Sequence, residues 1–383
     1  IRENGATVIY SVGAFAEKQD RSIGDVLSRM PGIDVSQSGK IQYQGTDINK
    51  FYIEGSDLLG GKYGIATKGI DHEDVSQVEV LENHQSMQVL RGLSFSDQAA
   101  INLKLKSKSK AALLVHGDLG AGYSVQPRGL VVNANIFAMI VRGEYQNITT
   151  LKGNNIGTNI SDELTDFTIS VPEEILKPYI ALSLPSTPNL QQKRSYFNRS
   201  WYISTNNLWK TRKGNDIKAQ MDYSSTRLEG YSKSTTTYFL EGGNTMIVED
   251  KSALSHSNEL NGRFTYEANK KTYFLNNTMS ASLGWNDMSL TTGGTLPNRQ
   301  TTDTPDYSVT NNLKLIKRYG SNRLVTFYSI NKWQSMPEKL TVNPDGGNNY
   351  GEKISQHSFY TDERVSIGFI LNGTTLSLET GVT

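Results

Sequence analysis

The chain has 383 residues, no cysteine, 39 basic and 38 acidic side chains, and a net charge of +1. That balance excludes the basic excess of a nucleic-acid binder, and the missing thiols exclude thiolate zinc sites, cysteine nucleophiles, iron–sulfur clusters and disulfides. Hydrophobic content is 36% and mean hydropathy −0.47, with no run near the length of a transmembrane helix, which leaves a membrane barrel of alternating strands open.

The length suits roughly two domains of about 100–200 residues each. Gly (34), Tyr (19, against 12 Phe) and sparse Pro (10) give a β composition with solvated turns. Ile1 and Thr383 read as cut ends, so a mature or partial chain is expected.

Residues 1–110 read as a mixed α/β domain. Ile23, Val26, Leu27 and Met30 have helical spacing, Asp20 or Ser22 supplies a cap, and Pro31-Gly32 is the stop, so a helix is expected over 22–30. A hairpin follows, Ile33–Val35 turning at Gln37-Ser38-Gly39 into Lys40–Gly45. Phe51–Gly55 and Val78–Glu82 are expected to pair, with short helical turns at 57–61 and 71–75 between them. Ala99–Lys106 is the last alternating strand. One small mixed sheet is expected, with Leu27, Ile33, Val35, Ile53, Val78 and Val80 buried together.

Residues 111–383 alternate with period 2. Ile217, Ala219, Met221 and Tyr223 interleave with Lys218, Gln220, Asp222 and Ser224, and Val365, Ile367, Phe369 and Leu371 with polar residues. About twelve strands are expected, in runs near the 9–11 residues of a tilted membrane strand. Short turns fall at 213–216, 269–271 and 319–322, and long polar loops are expected at 152–193, 286–306 and 340–356. Leu260, Phe264, Tyr266, Leu275, Met279, Leu283 and Trp285 should share one face. Glu259, Arg263, Glu267, Asn276 and Ser280 should share the other. Alternation also fits a soluble β-sandwich. Its strands of about 5–6 residues are shorter than these, and aromatics near strand ends (Tyr123, Trp201, Trp209, Tyr273, Trp285, Tyr319, Trp333) favour the barrel.

Five segments in order carry a family resemblance. They are Asp25–Val35, Gly39–Gly45, Phe51–Gly55, Val75–Leu81 and Ala99–Leu105. Together they resemble the plug domain of TonB-dependent outer-membrane receptors, and Glu82-Asn83-His84-Gln85 resembles the wording found in Bacteroidota. The fold class implied is an α+β plug domain (1–110) followed by an antiparallel transmembrane β-barrel (111–383); since a closed barrel of about twelve strands could not hold this plug, the N-terminal part of a 22-stranded barrel is expected, the alternative being a different, smaller barrel with the plug displaced. The resemblance implies uptake of a bulky nutrient, a place in the bacterial cell outer membrane, and three kinds of partner. These are the TonB energy-coupling complex, outer-membrane lipid and a surface lipoprotein. The family's energy-coupling box lies upstream of the plug and is not in this sequence. The usual Arg-Gly is displaced to Arg91-Gly92, and Lys104, Lys106, Lys108 and Lys110 form a basic stripe at the junction. The rival readings are a non-transporting outer-membrane adhesin or scaffold, and a soluble secreted β protein. A polar plug surface implies a wet contact with the barrel wall.

No catalytic, cofactor or metal residue is assigned, and no enzyme is expected. His72-Glu73-Asp74 is a weak metal candidate, because adjacent side chains diverge, and His84 reads as a satisfied loop histidine. Gly117–Tyr123 lacks the Lys-Ser/Thr of a phosphate loop and reads as a first barrel strand whose glycines relieve crowding against the plug. Asn343–Asn349 reads as a surface turn, and Glu173-Glu174 as exposed loop charge.

Overall fold

A computed structural model describes residues 2–125, 128–168, 176–186, 189–190, 195–320, 322–371 and 374–382. The N-terminal part is built of short elements. In order they are β1 (Arg2–Asn4), β2 (Thr7–Ser11), α1 (Ile23–Leu27), β3 (Ile33–Val35), β4 (Ile41–Tyr43), β5 (Thr46–Asp47), β6 (Lys50–Ile53), α2 (Gly64–Gly69), β7 (Val75–Leu81) and β8 (Ala100–Leu105). Helix α1 starts where Asp25 Oδ2 accepts from the Ser22 N–H at 3.0 Å, the acidic half of a capping box. It is shorter than the expected 22–30.

Two sheets form here, not one. The order β1-β2-β7-β8-β6 makes a mixed sheet, and β3-β4-β5 a separate small one. The expected pairing of 51–55 with 78–82 is absent. Strands β6 and β7 both flank β8, parallel and antiparallel respectively. Strand β8 lies between them, burying Ile101, Leu103 and Leu105 on one face, while on the other the buried Asn102 is satisfied by donating Nδ2 to Glu79 Oε2 at 2.6 Å. The expected helical turn at 57–61 is irregular instead. Asp57 Oδ1 accepts from the Gly60 N–H at 2.9 Å, and Gly60 sits at φ +58°, so the helix begins only at Gly64. Leu27, Ile33, Ile53, Val78 and Val80 do share one core, with Val35 packed against it.

The rest is one antiparallel sheet in chain order. Its strands are β9 (Leu113–Val125), β10 (Arg128–Arg142), β11 (Tyr145–Asn154), β12 (Phe197–Lys210), β13 (Asp216–Tyr238), β14 (Thr245–Asn269), β15 (Tyr273–Gly294), β16 (Asn298–Asp303), β17 (Asp306–Tyr319), β18 (Arg323–Pro344), β19 (Tyr350–Leu371) and β20 (Thr374–Val382). Strands β16 and β17 are successive segments of one position between β15 and β18. The twelve strands therefore fill eleven positions, and Pro305, lacking an N–H, sits at the break. Among the described residues β9 and β20 each pair on one side only.

Strands β13, β14, β15, β18 and β19 run for 22–25 residues, far beyond the expected 9–11. Segments 286–306 and 340–356, expected as loops, are mostly ladder. Their Thr, Ser and Asn side chains pair across strands as readily as they solvate a loop. The 343–349 turn holds, as the β18–β19 connection.

Register gives this sheet two faces. Phe264 lies opposite Met279, and Arg263 opposite Ser280. The N-terminal part packs on the face carrying Arg263 and Ser280, here called inner. Inner residues Phe137, Met139, Val141, Ile148 and Leu208 of β10–β12 join the N-terminal core directly. A Cβ on Gly69 would meet the Phe137 ring at 2.3 Å, so that residue must be glycine for the parts to close. The expected wet contact is therefore dry along β10–β12, because the apolar run Ile136–Val141 covers both faces of β10. Leu27→Ala should cost about 2–5 kcal/mol, by the lost transfer energy and the cavity left behind. Urea denaturation should show it, with hydrogen exchange localising the lost protection to β7 and β8.

Candidate functional site at the inner face of the sheet

Beyond the apolar strip, the inner face of β13–β17 is polar, and the turn 56–63 of the N-terminal part rests on it. Asp57 lies between two lysines, Lys50 of its own part at 2.5 Å and Lys218 of β13 at 3.2 Å. Lys62 pairs with Asp222 of β13, whose other carboxylate oxygen accepts from Asn261 Nδ2 at 3.0 Å. Gln220 Nε2 donates to the carbonyls of Leu58 and Leu59 at 3.2 and 3.1 Å. Gln146 Nε2 of β11 donates to the Ile53 carbonyl at 3.1 Å. Burial alone would raise the Asp57 pKa, but Lys218 and Lys50 outweigh it and hold the carboxyl well below its usual range. Burial likewise pulls Lys50 down, and Asp57 and Glu267 reverse it.

The β11–β12 connection adds a second layer. Phe167 N–H donates to the Gly61 carbonyl at 3.1 Å, and its ring lies 5.0 Å from that of Tyr63. Asp166 pairs with Arg263 of β14 at 2.5 Å. Against burial, Arg263 keeps that carboxyl low. A Cβ on Gly61 would meet Asp166 Oδ1 at 1.7 Å, so the bare Cα of Gly61 is what lets this segment sit on the turn.

Toward the side of the short turns lies a cavity of about 420 Å³, lined among others by Lys50, Tyr52, His84, Arg91, Asp216 and Glu267. His84 shares a 3.0 Å hydrogen bond with the Tyr52 hydroxyl. Burial, with Arg91 and Lys50 nearby, pushes its pKa down to about 4. Burial raises that of Tyr52 to about 12.

The sequence candidates divide as follows. Arg263, Glu267, Asn276 and Ser280 line the inner-face cavities, while Phe264, Met279 and Trp285 are exposed on the other face. His72, Glu73 and Asp74 do not converge. Asp74 instead accepts from Ser109 Oγ at 2.7 Å and contacts His116 Nε2 of β9 at 2.8 Å. Among the described residues no three His, Cys, Asp or Glu side chains form a metal site. Gly117–Tyr123 lies in β9, but its glycines meet the neighbouring strand β10, so crowding against the N-terminal part is not their reason. Glu173-Glu174 lies outside the described residues. The turn 56–63 was missed as a site. Its signal was Asp57 and Lys62 flanking a Gly-Gly pair, between two strands of a buried sheet.

No family model matches this sequence, and no curated protein matches it. Many solved structures resemble it at the level of the chain trace, among them the following three. The ferric yersiniabactin uptake receptor FyuA of Yersinia pestis is 12% identical over 96% of this chain and 62% of its own, with TM-score 0.42. The RagAB peptide importer is 9% identical over 98% and 55%, with TM-score 0.41. The alcaligin outer membrane receptor FauA of Bordetella pertussis is 10% identical over 96% and 60%, with TM-score 0.32. The chain spans under two thirds of the length of each. Similarity this low carries no argument about activity, which must rest on the geometry above.

That geometry has a pH signature. Between about 6.5, the ordinary histidine value, and about 4, the unfolded chain holds a proton on His84 that the folded chain does not. Stability from this group is complete above about pH 6.5 and declines as pH falls toward 4. Asp57 contributes above the usual carboxylate range and is lost only at still lower pH. His84→Gln should flatten the slope between pH 4 and 6.5, read as denaturant midpoints at each pH.

Proposed function

We propose that residues 1–110 are the plug of a TonB-dependent outer-membrane receptor. On this reading residues 111–383 are the N-terminal part of its transmembrane barrel, and the whole takes up a bulky nutrient. The observation that carries the reading is the division of the large sheet into two unlike faces. The turn 56–63, with its charges, lies on the inner one. All four tryptophans, Trp201, Trp209, Trp285 and Trp333, lie on the outer one, 41–44% exposed.

The outer aromatics fall at a membrane's spacing. Tyr273 and Trp285 are twelve residues apart on β15, as are Tyr307 and Tyr319 on β17. At about 3.3 Å per residue that is about 40 Å along the strand, or about 30 Å of height at a tilt near 40°. A hydrocarbon core is about 30 Å thick. The long ends of β13–β15 and β18–β19 then project beyond the membrane on the side of the longer loops.

Size supports an incomplete wall. Among the described residues the sheet has eleven positions and two open edges, too few to close around an N-terminal part of about a hundred residues. A barrel of 22 strands has a lumen that holds such a plug. The nutrient is left at its class, bulky and bound from the loop side. An inner-membrane energy complex is the partner that pulls the plug, and a surface lipoprotein on the loop side is a further one. The bacterial outer membrane, of the Bacteroidota type, is the place this reading assigns.

Phe264→Arg should destabilise the protein in lipid vesicles by about 2–4 kcal/mol. No effect there would favour a soluble sheet. The transport step has its own test. Lys62→Cys with Asp222→Cys places two thiols in a stretch of 383 residues that has none, any cysteine elsewhere in the full-length protein being replaced by serine. Bridging them with a reducible bis-methanethiosulfonate linker should stop growth on whichever nutrient of a panel requires the gene, and reduction should restore it. Full growth with the bridge verified as complete would end plug motion at this turn. Growth that ignores loss of the energy complex would favour the adhesin or scaffold.

A further inference from the structure

The stretch 176–186 crosses the inner face near its loop-side end. At β18 and β19 its main chain is held by three side chains. Leu176 N–H donates to Gln334 Oε1 at 3.3 Å, and Gln356 Nε2 donates to the Lys177 carbonyl at 3.1 Å. Tyr179 and Ile180 N–H both donate to Glu338 Oε2, at 3.0 and 3.1 Å. Glu338 and Ile180 are buried there. At the other end Leu184 and Pro185 lie against β13, where a Cβ on Gly230 would meet Pro185 Cδ at 3.0 Å. Between β13 and β18 lie four inter-strand steps of about 4.8 Å, so the stretch bridges about 19 Å of wall. Upstream, Asp166 and Phe167 of the same connection sit on the turn 56–63.

Resting on the reading of the sheet as a barrel wall, we propose that residues 176–186 are a strap. It is pinned at Glu338, closes the loop-side space over the turn 56–63 at rest, and lifts when that space is filled. Glu338 suits a release point. Among the described residues no cation pairs with it, so main-chain N–H groups of the strap supply the hydrogen bonds its charge requires. When the strap leaves, water takes those positions, and no charge is stranded in protein. Gly230 gives the other end a seat with no side chain to hold it, so that end follows.

Residues 1–383 hold no cysteine, and any cysteine elsewhere in the full-length protein is first replaced by serine. Ser308 lies on the inner face of β17, lining a cavity with Lys62 and Leu164 below the strap. In the full-length protein on intact cells, Ser308→Cys should react slowly with a bulky membrane-impermeant maleimide. Glu338→Ala should speed that reaction about tenfold, the scale of a lost charge-assisted hydrogen bond. Glu338→Gln, which keeps an acceptor, should speed it less. Ile180→Pro removes one donor from the strap side, so it reports even where Glu338→Ala fails to assemble. Combined with Glu338→Ala it should add little. An unchanged rate in both Glu338→Ala and Ile180→Pro would overturn the strap. A separate control, Lys106→Cys on the short-turn side, should stay unlabelled from outside. Its labelling would overturn the proposed sidedness of the wall, independently of the strap.

Discussion

Asp57 is the point on which the arrangement of the two parts depends. Its carboxylate is shared between a lysine of its own part and a lysine of β13. Five residues on, Lys62 meets Asp222 on the same strand with the charges reversed. An acid on a wall base and a base on a wall acid fix both position and direction. Sliding the turn along β13 by the four residues that separate Lys218 from Asp222 would put like charges together, at a cost the correct seating does not meet. Buried pairs of this kind add little net stability over apolar packing, yet removing one member costs about 3–5 kcal/mol, because its partner stays buried and unpaired. They serve as register marks more than as glue.

The glue lies elsewhere. Phe137, Met139, Val141, Ile148 and Leu208 extend the N-terminal core into β10–β12, and opening that contact would return apolar surface to water. Along β13–β17 the contact is made of ions, amides and hydroxyls, which regain water when separated. The N-terminal part is therefore held unevenly, dry on one side and solvatable on the other. Displacement costs less along β13–β17, and the turn 56–63, the Asp166–Arg263 pair and the strap all lie on that side.

The outer face is polar in places, and there its polar groups satisfy one another. Asn147 Nδ2 donates to Asn207 Oδ1 at 2.9 Å, and Thr149 and Thr205 hydroxyls share a hydrogen bond of 3.0 Å. Glu363 accepts from Ser329 Oγ at 2.8 Å and Asn331 Nδ2 at 3.0 Å. On the proposed reading of this face as lipid-facing, such internal pairing is required, since no water reaches polar groups in a hydrocarbon layer. The polar residues in these cross-strand pairs contribute to the chain's mean hydropathy of −0.47.

Period-two alternation was enough, read from the chain alone, to assign the faces of β14 and β15, because side-chain direction is a local property of an extended backbone. The apolar residues of the N-terminal core and the capped start of α1 were legible for the same reason. Strand partners were not. That β8 lies between β6 and β7, that β16 and β17 share one position, and that 286–306 continues a ladder depend on hydrogen bonds between distant segments. The apolar inner strip of β10 could have been suspected from its unbroken run Ile136–Val141, but not what covers it. Asp57, Lys62, Lys218 and Asp222 became a site only on folding. They come from segments about 160 residues apart, and complementary charge carries no mark of its partner until the backbone brings the two together.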